Sequence, residues 1–136
     1  MKQKIIIVPC SGIGKTYGTV AREGAYVVTE DLCPERTRLV PLALLVLGGE
    51  EARSALGGAK AIALDGCNRA CAAKVVAESG GAVAHAIQVP EVFRRHRDLK
   101  PSGIATLDEN GLKLARALAE EVKELVDAMT WEVCRA

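Results

Sequence analysis

The stretch Lys4-Ile5-Ile6-Ile7-Val8 carries an unbroken apolar run of strand length, and Pro9-Cys10-Ser11-Gly12 follows it. A strand with one wet face alternates apolar with polar residues. One that does not alternate is covered on both faces, as in a parallel sheet. Ala61-Ile62-Ala63-Leu64 repeats the pattern in the middle of the chain, and Val83 to Val89 makes a further strand. Thr37 to Pro41 is a short second strand.

Between these runs the spacing changes to that of helices. Thr16 to about Asp31 places Tyr17, Val20, Ala21, Val27 and Val28 among charges, a helix weakened by Gly24. Leu42 to Leu56 is a helix recapped near Gly48-Gly49, where Glu50 and Glu51 suit a first turn. Asn68 to Ser79, stopped by Gly80-Gly81, is a third helix. Residues 90–108, with Pro90, Pro101 and Gly103, read as a long loop holding at most a short helix at Glu91 to His96. From Glu109 to Met129 the residues Leu114, Ala115, Leu118, Val122, Leu125, Val126 and Met129 recur at helical spacing.

Strands alternating with helices imply an α/β fold: a parallel sheet of about four strands with right-handed crossovers and helices on both faces. The simplest strand order is 2-1-3-4. Ligands then sit beyond the carboxyl ends of the strands, at the switch point between the first and third. Two loops meet there, Pro9 to Tyr17 and Asp65 to Cys71.

Composition bounds the function. The 136 residues carry 18 Lys+Arg against 17 Asp+Glu, a net charge of +1, too little field to hold a nucleic acid. The scattered aromatics Tyr17, Tyr26, Phe93 and Trp131 offer no stacking platform. With 49% apolar and 26% charged residues, residues 1–136 read as a single domain that needs no metal or disulfide to fold. The run Ile5 to Val8 is too short for a secretory signal, and Leu39 to Leu47 too short for a membrane span. A cytoplasmic protein is expected, in which five cysteines point to metal or redox chemistry rather than to disulfides.

Three of those cysteines converge on the switch point. Cys10 follows the first strand, Cys67 follows the third, and Cys71 lies four residues on. With a helix beginning near Asn68, Cys67 stands at its N-terminal end and Cys71 on the adjoining turn. Helix N-termini favour thiolate, the form that binds metal or attacks an electrophile. Two sulfurs one turn apart and a third from the neighbouring loop suit tetrahedral zinc; each cysteine as a small buried hydrophobe is the plain alternative. Ser11-Gly12-Ile13-Gly14-Lys15-Thr16 ends like a phosphate loop, but Pro9 stands where that motif requires Gly. Ser11, Gly12 and Gly14 still admit a small anion to backbone N–H groups beside Cys10.

The chain also resembles the DGC-domain family of zinc-binding proteins, named after a central Asp-Gly-Cys. The resemblance rests on Cys10-Ser11-Gly12, on Leu47-Gly48-Gly49-Glu50-Glu51, and on Ala63-Leu64-Asp65-Gly66-Cys67-Asn68-Arg69-Ala70-Cys71-Ala72-Ala73-Lys74, and spans roughly residues 4 to 89. It implies zinc binding through four cysteines and assigns no reaction, while the alternation of strands and helices read above is that of a Rossmann-like three-layer sandwich. In the family pattern a cysteine ends the second strand; here Pro41 stands in that place. Cys10, Cys67 and Cys71 carry over as metal ligands. Cys33, the nearest replacement, lies between the first helix and the second strand, toward the opposite sheet edge, and stays open as a fourth donor. Three thiolates would leave a coordination position for a small anionic or thiol-bearing ligand. Iron or an iron–sulfur cluster is a chemical alternative to zinc. A metal-free thiol redox or sulfur-relay protein, with Cys10 or Cys67 attacking and Cys71 resolving, is a functional one, and a small-anion or nucleotide-binding module is a third.

Asp65 reads as a helix cap or as an acceptor behind the metal ligands. His85, inside the fourth strand, reads as a structural histidine. Arg94-Arg95-His96-Arg97 reads as a solvated face, or as positive charge over the crevice where the long loop folds across it. Cys134, near the chain end, is a weak candidate for any role.

Overall fold

Residues 3–10, 12 and 14–135 are described by the computed structural model, with side chains through residue 130. Four parallel strands, β1 (Ile5–Pro9), β2 (Thr37–Leu39), β3 (Lys60–Asp65) and β4 (Ala82–Gln88), are bonded in the order β2-β1-β3-β4. This is the expected α/β sheet in the expected order. Burial explains it: every residue of β1, and all of β3 after Lys60, is buried, so these two occupy the middle. In β4 exposed Ala82, Ala84 and Ala86 alternate with half-buried Val83, His85 and Ile87, the signature of an outer strand.

One layer of helices is built on α1 (Thr16–Tyr26), which packs on β1 and β3. Against it lie α5 (Val89–Arg95) and α6 (Glu109–Arg135). The opposite layer is α2 (Leu42–Val46), α3 (Glu50–Leu56) and α4 (Cys71–Glu78), with α4 on β1, β3 and β4. The apolar stripe of α6 is buried as its spacing requires: Leu114, Leu118, Val122 and Val126 are wholly enclosed, and only Leu125 is partly exposed. The break at Gly48-Gly49 separates α2 from α3 as expected.

Local sequence departs from the expectation at three helices. The first helix does not run uniformly to Asp31: a π-helical turn, Val27–Leu32, follows α1, closed by the Cys33 N–H on Val28 O at 2.8 Å. The Thr29 hydroxyl donates back to Ala25 O at 3.0 Å at this junction. Gly24 does more than weaken α1. A Cβ there would lie 2.8 Å from Leu118 Cδ2 and 3.2 Å from Ala115 O, so glycine is what lets α1 and α6 cross closely. The short helix after β4 begins at Val89, directly on the strand end, and α4 begins at Cys71 rather than Asn68.

Candidate functional site

The carboxyl ends of β1 and β3 are joined one residue beyond their ladder, where the Cys10 N–H donates to Leu64 O at 2.8 Å. This holds Cys10 against β3, 9% exposed. Its Sγ accepts the Gly66 N–H at 3.3 Å. Gly66 can reach it because it has no side chain: a Cβ would stand 2.7 Å from Gly18 N and 2.9 Å from Tyr17 C. Gly12, at φ +53°, meets Gly18 so closely that a Cβ on either would collide with the other's Cα. The loop after β1, the first turn of α1 and the loop after β3 are thus interlocked backbone to backbone.

Asp65 ends β3, 2% exposed, and its carboxylate reaches across the next loop. Oδ1 accepts the Ala72 N–H at 2.7 Å and Oδ2 the Ala73 N–H at 3.3 Å. Asp65 is therefore the cap of α4, supplied from seven residues upstream, and Ala70, the residue at the N-cap position, makes no side-chain cap. Burial raises its carboxyl pKa and the two N–H groups oppose the rise. Between the two anchors, residues 67–70 form a turn closed by the Ala70 N–H on Cys67 O at 3.3 Å, with Ala70 in the left-handed region at φ 53°.

This geometry corrects the expected helical pair. Cys71 is the first residue of α4 and Cys67 lies in the turn before it, so the two are not on adjoining turns of one helix. Both side chains are exposed while Cys10 is buried, and all three thiols are free. Burial raises the Cys10 pKa, the Gly66 N–H opposes that rise, and charge on Asp65, Cys67 and Cys71 at the same edge adds to it.

Cys33 lies at the other end of the sheet, before β2, with its Sγ accepting Arg36 Nη2 at 3.3 Å. Pro41 occupies the N-cap position of α2, after β2. Ser11 lies outside the described residues. Gly14 is open to solvent at φ +79°, and Gly12 O accepts the Lys15 N–H at 3.0 Å. His85 is half-buried in β4, paired in register with Ile62. The basic cluster is not turned to the crevice as a unit: Arg95 Nη2 pairs with Glu121 Oε1 of α6 at 2.5 Å, and His96 Nε2 lies 3.9 Å from Glu121 Oε2. The following loop is tied down by the Thr19 hydroxyl on Ile104 O, and by Asp108 Oδ1, which accepts the Ser102 N–H at 3.1 Å and the Gly111 N–H at 2.7 Å. Cys134 falls in α6 beyond the described side chains.

A family model, DGC domain, matches residues 6–110. The chain belongs to the DGC-domain family. No curated protein and no solved structure matches it. The name-giving Asp65-Gly66-Cys67 of this DGC domain now has a physical account for two of its residues: Asp65 caps α4, and Gly66 brings its N–H to Cys10 while clearing Gly18. Neither the Gly18 contact nor the left-handed Ala70 was foreseen from sequence. A glycine in the first turn of a helix, Gly18, is the signal that pointed to the first.

The donor set of this DGC domain fits a thiophilic metal in kind, since three free thiols share one edge and a backbone N–H points at the buried sulfur. In this conformation they are not gathered: among the described residues no three His, Cys, Asp or Glu side chains stand together as an ion-binding group. Among the described residues, too, no helix is long and apolar enough to cross a membrane.

Proposed function

We propose that this chain binds zinc through Cys10, Cys67 and Cys71 at the switch point of its sheet, in the cytoplasm. The observation that carries the reading is the Gly66 N–H on Cys10 Sγ, a bond that favours the thiolate a metal needs, on an edge with two exposed thiols. Cys10 is the fixed donor, held by β3. Cys67 and Cys71 are the adjustable donors, on a turn anchored at Asp65 and at the start of α4. Bound zinc would supply a Lewis-acidic centre. With Pro41 where the family pattern has a cysteine, that centre keeps a position for a small anionic or thiol-bearing ligand.

Elemental analysis of anaerobically purified protein tests this. Zinc is expected at about one per chain, lost in Cys67→Ser and Cys71→Ser and kept in Cys33→Ser. Stoichiometric iron would replace zinc by iron or a cluster, and release by Cys33→Ser as ready as by Cys67→Ser would overturn the ligand set.

The exposure of Cys67 and Cys71 favours a second reading, a metal-free thiol relay with Cys67 attacking and Cys71 resolving. Cys10, 9% exposed, is the least accessible of the three thiols for attack on a substrate. Metal-free protein whose Cys67 and Cys71 form a disulfide under mild oxidation would select this reading over zinc.

A further inference from the structure

The end of the sheet remote from the DGC motif holds a cavity of about 460 Å³, within the range of small-molecule sites. Its wall is divided by chemistry. Ile5 of β1 and Met129 of α6, 9% and 5% exposed, supply an apolar floor, and Lys4, Lys60, Arg36 and Glu35 supply charge. Arg36 is already committed, its Nη1 2.6 Å from Asp127 Oδ1. Lys4 precedes β1 and Lys60 opens β3 on the adjoining strand, and neither joins an ion pair among the described residues. Among the described residues Glu35 is the single carboxylate in the wall.

Among the described residues, two ammonium groups without an ion pair against one carboxylate favour a ligand with a single negative charge. A small inorganic anion would leave the apolar floor unused, and a cation would face both lysines. We propose that this cavity binds a small amphipathic carboxylate, its hydrocarbon part on Ile5 and Met129 and its head between Lys4 and Lys60. The site is independent of the thiol edge, at the opposite end of the strands.

The chain has two methionines, so Met129 is a clean reporter in the full-length protein labelled at methionine methyl groups. Octanoate should shift the Met129 resonance saturably. Lys60→Glu should weaken octanoate about tenfold, by losing one attraction and adding a repulsion. Lys4→Glu, at an exposed position ahead of β1, should do the same and keeps the test alive if Lys60→Glu fails to fold. Cys67→Ser should leave octanoate binding unchanged, so failure of the zinc reading does not touch this one. Absence of a saturable shift would overturn the proposal. So would equal binding of octyltrimethylammonium or octanol, a response to inorganic phosphate as strong as to octanoate, or undiminished affinity in both lysine variants.

Discussion

Two buried cysteines stand at opposite ends of one sheet, and burial raises the thiol pKa of both. Their surroundings differ in kind. Around Cys10 the holding groups are backbone: the Gly66 N–H on the sulfur, Gly18 against Gly66, and Gly12 against Gly18. The Cys33 sulfur is held instead by side chains. Arg36 bridges the Cys33 sulfur and Asp127, and Lys123 Nζ holds the other Asp127 oxygen at 2.9 Å. A backbone interlock tolerates no added atoms but ignores pH and salt, whereas a network of charged side chains accepts changes of shape and answers to both.

The largest expected effect sharpens that contrast directly. Gly66→Ala drives a Cβ into the backbone of Gly18 and Tyr17, which cannot swing aside, and should cost about 3 kcal/mol in urea unfolding. Gly58→Ala, at the Cys33 end, meets only the flexible Gln3 side chain at 3.8 Å. It should cost about 1 kcal/mol, set by its φ of +73°. Equal losses at the two glycines would break the comparison.

Next in size is Asp65→Ala, which removes the cap from α4 and should cost about 1–2 kcal/mol, with faster hydrogen exchange at Ala72 and Ala73. Asp65→Asn keeps an oxygen for Ala72 and should lose less. Unchanged exchange at both amides in Asp65→Ala would show that the turn does not depend on the carboxylate.

The smallest effect belongs to the charged end. Lys123 and then Arg36 hold the Asp127 carboxyl below the usual carboxylate range. A group lowered in this way stabilises above its unfolded pKa of about 4, and that stability is lost as pH falls through the lower folded value. Asp127 is 43% exposed, so solvent screens it and Asp127→Asn should cost about 0.5 kcal/mol at neutral pH. Melting curves of the two proteins should converge on acidification and in high salt. A gap that widens in acid would contradict the assignment.

The strand order was legible because burial on both faces leaves a compositional mark: Ile5 to Val8 and Ala61 to Leu64 do not alternate, so they belong in the middle. The edge carrying Cys10, Cys67 and Cys71 was legible because topology alone picks the switch point. What escaped depends on contacts that no periodicity records. Asp65 was legible as a cap, but not that it reaches Ala72, seven residues on, nor that a left-handed Ala70, a residue type with no preference for that conformation, delays the start of α4 to Cys71. Arg95 and His96 face Glu121, on a helix separated from them by a loop, and the local run of basic residues carries no trace of that partner. Gly12 reads as an opening for an anion and Gly18 and Gly66 attract no reading of their own, when the common feature of the three is the atoms they leave out.

The crossing of α1 and α6 at Gly24 bears on how this domain should be cut for study. The family match stops at residue 110, the second residue of α6. A fragment trimmed to that boundary would shed Leu114, Leu118, Val122 and Val126, all fully enclosed in the whole chain, and uncover the faces of α1 and of the π-helical turn on which α6 packs. Such a fragment would display a greasy face to its own copies and come out of cells as inclusion bodies, with the thiol edge intact in sequence but lost to assay.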